Sequence, residues 1–233
     1  MNPESRIQNP EFRIKNPLHN ERMIRFREAG LYFVTSQTLS AGRTTQEIVK
    51  AALAGGVTLI QLREKEMPLR DYVKLAGEIR ALTAAAGALL IINDRVDVAM
   101  AVGADGVHLG QEDFPIVEAR RLAPDLLIGA STHSVEEALR AQAEGASTIN
   151  IGPIYPTGTK VWEGDYLGLG GLKTISGVTR VPFSVMGGIK ATHIPELIKA
   201  GARTIALVTA ITAAPDPESA ARELLKTVHG ALS

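Results

Sequence analysis

The 233-residue chain contains no cysteine, which removes disulfide frameworks, thiolate nucleophiles and cysteine-based zinc sites together. It has no net charge either, with 25 Lys plus Arg against 25 Asp plus Glu. No overall field therefore draws it to nucleic acid or to an anionic membrane, and any anion site must be assembled locally. No apolar run reaches the roughly 18 residues that span a bilayer, and the N-terminus has no apolar signal core. A soluble, cytoplasmic protein is the expectation, and a homo-oligomer is compatible with it. With 45% hydrophobic residues, the chain can bury one full core, and a second complete domain would be cramped.

Residues 1–29 differ in character from the rest. They carry a near-duplication, Arg6-Ile7-Gln8-Asn9-Pro10 and Arg13-Ile14-Lys15-Asn16-Pro17, with little apolar periodicity. Asn-Pro pairs favour turns and break helices. The expectation is a mobile N-terminal extension over 1–29, with Met23 as an alternative start, and a folded domain over 30–233.

From Leu31 onward, short apolar runs rich in β-branched residues alternate with segments of helical period. The runs cover 31–36, 57–63, 89–93, 106–109, 126–130, 148–152, 183–187 and 204–208. Several are apolar almost throughout, as in Leu89-Leu90-Ile91-Ile92, which suits strands covered on both faces in a parallel sheet. Thr44 with Glu47 and Ser134 with Glu137 fit capping boxes, Asp216-Pro217 fits an N-cap followed by a first-turn proline, and Gly230 stands where a last helix would stop. Eight strand and helix units in just over 200 residues fit an α/β fold of the (β/α)8 TIM barrel type. An open doubly wound sheet is the alternative, since closure is not visible in a sequence.

Polar residues collect after the carboxyl ends of these strands. They include Gln61, Arg63, Glu64 and Lys65; Asn93, Asp94 and Arg95; Gln111, Glu112 and Asp113; Ser131, Thr132 and His133; Thr157, Thr159 and Lys160; Gly187-Gly188; and Val208-Thr209. In a barrel these seven loops share one mouth, where active sites of this fold lie. Their chemistry suits phosphate and a hard cation. Arg63, Lys65 and Lys160 supply positive charge, Ser131, Asn93, Thr157 and Thr159 supply neutral donors, and Asp94 and Asp113 supply hard oxygen ligands for Mg²⁺. The glycine pair and the Val208-Thr209 turn fall where barrels often hold phosphate on backbone N–H groups. Each element also has an ordinary reading: a loop charge in solvent, a helix N-cap for Asp94 or Asp113, a plain turn for the glycines. The joint occurrence favours a site. His108, inside an apolar run, reads as a satisfied core histidine, whereas Trp162 and Tyr166 either cover the site or pack on its rim.

Long segments in this order resemble the thiamine phosphate synthase family. They are Leu31-Tyr32-Phe33-Val34-Thr35, Gly56-Val57-Thr58-Leu59-Ile60-Gln61-Leu62-Arg63-Glu64-Lys65, Ile91-Ile92-Asn93-Asp94-Arg95 and Gly106-Val107-His108-Leu109-Gly110-Gln111-Glu112-Asp113. Ser131-Thr132-His133-Ser134, the 152–160 stretch and Gly187-Gly188-Ile189 complete the set. The resemblance covers roughly residues 30–211. It implies a transferase that condenses hydroxymethylpyrimidine pyrophosphate with hydroxyethylthiazole phosphate, releasing pyrophosphate. Carried over by position, Gln61 would bind the pyrimidine, and Arg63, Lys65, Asn93, Ser131, Thr159 and Lys160 would surround the pyrophosphate. Arg63, Ser131 and Lys160 would stabilise its departure. Asp94 and Asp113 would hold magnesium, Gly188, Val208 and Thr209 would cradle the thiazole phosphate, and Thr157 would lie near the thiazole.

The chain departs from the family pattern at four places. Ser36 stands where an aspartate is usual, Val161-Trp162-Glu163-Gly164 replaces a lysine-rich continuation, Met186 replaces a smaller residue, and Thr209 replaces a serine. A thiazole tautomerase-like isomerase on the same scaffold is the alternative reading, as is a phosphate-metabolite-binding barrel without turnover. The tautomerase should not need the combination of Asp113, Ser131-Thr132-His133-Ser134 and Thr157-Gly158-Thr159-Lys160, so the synthase is favoured.

Overall fold

Strand residues in this protein alternate between two apolar environments. In the computed structural model, which describes residues 16–159 and 162–233, Tyr32, Leu59, Leu89, Ile91, Leu127 and Ala206 fill an interior, while Phe33, Ile60, Leu62, Leu90, Ile92, Val107 and Ile128 belong to a second, larger apolar cluster. Period-two alternation with both faces apolar is what a strand buried on each side requires. The strands are β1 (Leu31–Val34), β2 (Leu59–Leu62), β3 (Leu89–Asn93), β4 (Gly106–Leu109), β5 (Leu127–Thr132), β6 (Thr148–Ile151), β7 (Phe183–Val185) and β8 (Thr204–Leu207). They pair in parallel in sequence order, and β1 closes on β8 with Leu31 opposite Ile205. The sheet is therefore a closed (β/α)8 TIM barrel, and the open sheet is excluded.

Nine α-helices follow the strands among the described residues: α2 (Thr45–Ala54), α3 (Leu69–Ala85), α4 (Val96–Ala101), α5 (Ile116–Leu122), α6 (Val135–Ala143), α7 (Gly168–Gly177), α8 (Ile194–Lys199), α9 (Thr209–Thr212) and α10 (Pro217–Leu232). Thr44 and Glu47 form the expected reciprocal cap of α2. Asp216 caps α10 by accepting from Ser219 N at 3.1 Å, but that helix runs past Gly230 to Leu232. Ser134 caps α6, whereas the Glu137 carboxylate takes the His133 N–H instead of closing the box. No helix among the described residues is long and apolar enough to cross a membrane.

The expectation of a mobile arm over 1–29 needs correction for part of its length. Residues 1–15 lie outside the described residues, but α1 (Pro17–Glu28) is a packed helix. Asn16 caps it, accepting from Leu18 N at 2.9 Å, and Pro17 occupies its first turn, so the second Asn-Pro pair starts a helix instead of breaking one. Phe26 meets Tyr32 edge-on at 6.0 Å and joins the interior with Leu59, Leu89 and Leu127, the first residues of their strands. Arg22 reaches Asp105, just before β4, at 3.1 Å. The helix therefore closes the amino end of the barrel, leaving the carboxyl end as the open mouth.

Candidate active site

Inward positions two residues apart carry the barrel from apolar to polar as it approaches the mouth. Leu59 gives way to Gln61 and then Arg63, Ile91 to Asn93, and Gly129 to Ser131. At that level lies a cavity of about 1060 Å³, at the large end of small-molecule sites and roomy enough for two small substrates. Gln61, Arg63, Lys65, Asn93, Asp94 and Asp113 line one part of it. Ser131, Thr157, Thr159, Gly188, Val208 and Thr209 line the rest. Every expected site residue among the described ones is thus brought together; Lys160 lies outside the described residues. Other polar loop residues are used elsewhere: Arg95 pairs with Asp97 at 2.8 Å, and Glu64 accepts from Gln37 N at 2.9 Å and from Thr45 Oγ1 at 2.8 Å, tying two loops together. Ser36 is buried, with Oγ 3.2 Å from that of Thr38 and its carbonyl accepting from Ser40 at 2.7 Å, so it serves as a loop brace.

On the β2 to β4 side the site is charged. Lys65 Nζ lies 3.2 Å from Asp94 Oδ2. Asp94 has φ +61°, the left-handed region that Asp tolerates better than most residues. Burial raises its pKa, the adjacent carboxyl of Asp113 raises it further, and Lys65 opposes both. Asp113 Oδ2 also accepts from Gly110 N at 2.6 Å. Neither aspartate is a helix cap: Arg95 precedes α4 and Pro115 precedes α5. Two crowded carboxyls with hard oxygens match the one or two carboxylates with which Mg²⁺ binds phosphate substrates. No group of three or more His, Cys, Asp or Glu among the described residues is placed to hold a metal by itself.

Within the barrel, a polar layer supports this rim. Gln61 Nε2 donates to Tyr32 Oη at 2.7 Å, and burial pushes the Tyr32 hydroxyl well above its usual range. His108 Nε2 lies 3.0 Å from Ser131 Oγ. Burial lowers the His108 pKa to about 4, with Asp113 opposing, so the ring is neutral at pH 7 and is the satisfied histidine expected of its strand. Gly129 makes room for it, because a Cβ there would sit 2.7 Å from His108 Nδ1. Asn150 Nδ2 donates to Ser184 Oγ at 2.9 Å and also lines the cavity. Asn150, Lys190, which follows β7 and also lines the cavity, and the Ser131–His108 contact were not singled out from the sequence. The available signal was a polar residue inside a run otherwise buried on both faces, as in Thr148-Ile149-Asn150-Ile151.

On the β6 to β8 side the backbone dominates. Gly187 and Gly188 have φ of +101° and +62°. A Cβ on Gly188 would come within 2.2 Å of the Pro156 carbonyl oxygen. Tyr155 N donates to Gly187 O at 3.0 Å, so the glycine pair is clasped by the loop after β6. The α9 helix starts at Thr209 just after β8; Ile211 N and Thr212 N both bond to Val208 O, which leaves the N–H groups of Thr209 and Ala210, at the helix start, to face a ligand. Trp162 lines the cavity and packs against His133 with ring centroids 4.5 Å apart and planes tilted by 52°, whereas Tyr166 is exposed and does not line it.

Comparison with known proteins supports one reading of this geometry. The family model described as thiamine monophosphate synthase matches residues 31–211. A thiamine-phosphate synthase from Methanoculleus marisnigri is 46% identical over 202 residues, covering 86% of this chain and 96% of the relative. Another, from Chloroflexus aurantiacus, is 45% identical over 194 residues, covering 83% and 90%. The solved structure of thiamine phosphate pyrophosphorylase from Pyrococcus furiosus superposes with a TM-score of 0.82 at 40% identity, covering 90% of this chain and all of that one.

Proposed function

This chain belongs to the thiamine monophosphate synthase family, and we propose that it condenses hydroxymethylpyrimidine pyrophosphate with hydroxyethylthiazole phosphate by dissociative substitution. It is an enzyme, a transferase of thiamine biosynthesis. The observation that carries the finer reading is the make-up of the cavity lining: Arg63, Lys65, Asp94 and Asp113 crowd the β2 to β4 side, whereas the β6 to β8 side is lined mostly by Thr157, Thr159, Gly187, Gly188, Val208 and Thr209, with Glu163 and Lys190 as its charged members.

The charged side suits a leaving pyrophosphate. Arg63, Lys65 and Asn93 would hold its oxygens, joined by Ser131, whose hydroxyl is fixed by neutral His108 at 3.0 Å, and by Thr159 and Lys160. Asp94 and Asp113 would hold Mg²⁺, which when bound supplies positive charge to the pyrophosphate. Gln61 commits its Nε2 to Tyr32, so its carboxamide oxygen can accept from the exocyclic amine of the pyrimidine. That amine stabilises positive charge on the methylene as the C–O bond breaks, and the thiazole nitrogen then attacks the same carbon. Gly188, Val208 and Thr209 would cradle the thiazole phosphate on N–H groups, with Thr157 beside the ring. Starting this reaction takes little proton transfer. It requires donors preorganised around the leaving group and a nucleophile already in place, which a mouth of cations and hydroxyls supplies. Pyrophosphate release from purified protein with both substrates and magnesium tests the proposal. Release that needs both substrates supports it; conversion of thiazole phosphate alone would indicate a tautomerase-like activity, and binding without turnover a sensor.

A further inference from the structure

We infer that Trp162 forms a wall of the binding site against which the planar heteroaromatic ring of a substrate packs, and that His133 is the positioning residue that holds it there. The inference rests on the synthase reading for the identity of the ring-bearing ligands.

Trp162 is the only tryptophan in the chain, and its indole is held from several directions. The His133 ring lies under it, tilted by 52° with centroids 4.5 Å apart. Indole Nε1 donates to Asp165 O at 3.2 Å. A Cβ on Gly164 would press within 3.0 Å of indole Cζ2 and 3.2 Å of Nε1, so the residue beside the ring is the one type that lets it lie against the backbone. His133 is itself fixed twice: its N–H donates to Glu137 Oε2 at 2.6 Å, and its ring Nδ1 bonds to the Gly152 carbonyl. The loop carrying Trp162 is tied at its base, where Leu167 N donates to Pro153 O and Gly168 N to Ile154 O, both at 3.0 Å. An aromatic merely resting on a rim requires none of these constraints. Trp162 is half-buried and lines the same cavity as Ser131, Thr157 and Thr159. A flat, immobilised aromatic surface beside phosphate-binding hydroxyls is suited to a phosphorylated heteroaromatic ring, since such a surface prefers offset or edge contact with another ring.

Pyrimidine and thiazole share that chemistry, and titrations on the intact protein separate them. The sole tryptophan can be excited selectively while hydroxyethylthiazole phosphate, hydroxymethylpyrimidine phosphate or inorganic pyrophosphate is added, with affinities measured in parallel by calorimetry. The expected result is that one ring-bearing ligand changes the Trp162 emission. Trp162→Ala should weaken that ligand by about 2- to 12-fold, the range that an aromatic pair contributes, while inorganic pyrophosphate binds as before. Trp162→Phe should recover most of the loss, and melting temperatures of both variants identify any that fail to fold. Unchanged affinity for both ring ligands in Trp162→Ala would overturn the inference. So would equal weakening of inorganic pyrophosphate, or no recovery with phenylalanine, because either marks general disruption of the loop. Failure of the wild type to release pyrophosphate, with ring binding still dependent on Trp162, would instead refute the synthase reading alone.

Discussion

Replacing Arg22 by Ala should destabilise the barrel without slowing the chemistry, because Arg22 is fastened to the end opposite the cavity. Its Nε lies 3.1 Å from Asp105 Oδ1, with side-chain exposures of only 10% and 6%, and its Nη1 donates to Asp125 O at 3.0 Å. The other Asp105 oxygen accepts from Arg80 Nη1 and from Leu90 N, each at 2.9 Å. Removing one partner of a buried ion pair generally costs about 3–5 kcal/mol. Arg80 and Leu90 still serve one oxygen, which places the expected loss at or just below the bottom of that range, about 2–3 kcal/mol. For a chain of this length, that corresponds to a melting temperature lowered by about 4–12 °C. Urea and thermal unfolding of wild type, Arg22→Ala, Asp105→Asn and the double variant give the coupling between the two residues. A coupling of about 0.5–3 kcal/mol is expected for residues in direct contact. A chain starting at Met23 should be destabilised in the same direction, since it lacks Arg22. An unchanged melting temperature together with zero coupling would refute the reasoning and return residues 17–28 to the status of a peripheral arm.

Asp94→Asn and Asp113→Asn should each raise the magnesium concentration needed for turnover with little change in melting temperature, because Asn also tolerates the φ of +61° at position 94; equal metal titration curves for both variants and wild type would remove the shared-cation assignment. Gly188→Ala forces a Cβ to within 2.2 Å of Pro156 O at a φ of +62°, so calorimetry should show loss of hydroxyethylthiazole phosphate binding, and normal affinity would contradict the cradle. His19 is buried, and its Nδ1 has no partner among the described residues. Burial first, then Arg120, lowers its pKa from the ordinary 6.5 to about 4, with an opposing contribution from its hydrogen bond to the Asp125 backbone. The unfolded chain therefore binds the proton more readily, so this contribution to stability is complete above pH 6.5 and is lost as pH falls toward 4. His19→Leu should flatten the dependence of melting temperature on pH across that window; a profile parallel to wild type would show that the His19 environment does not govern it.

Alternation of strand and helix was legible along the chain because a strand buried on both faces must be apolar almost throughout, and each helix must start and stop with recognisable chemistry. Runs such as Leu89-Leu90-Ile91-Ile92 and caps such as Thr44 and Asp216 carry that information locally. The polar residues after each strand were legible for the same reason, since Arg63, Lys65, Asp94, Asp113 and Ser131 have no place in an apolar run. Closure of β1 on β8 was not visible, because it depends on strand tilt and register around the whole ring. Nor was the packing of α1, whose mean hydropathy is low and whose docking depends on Phe26 and Arg22 finding Tyr32 and Asp105. Contacts between residues far apart in the chain, such as Lys65 with Asp94, His108 with Ser131 and Trp162 with His133, likewise exist only once the loops converge. The sequence by itself determined which residue types would reach the mouth, since strand period and loop position are local properties. Only the tertiary structure decided which of them touch, because those distances are set by the barrel's curvature and by the elements that close its other end.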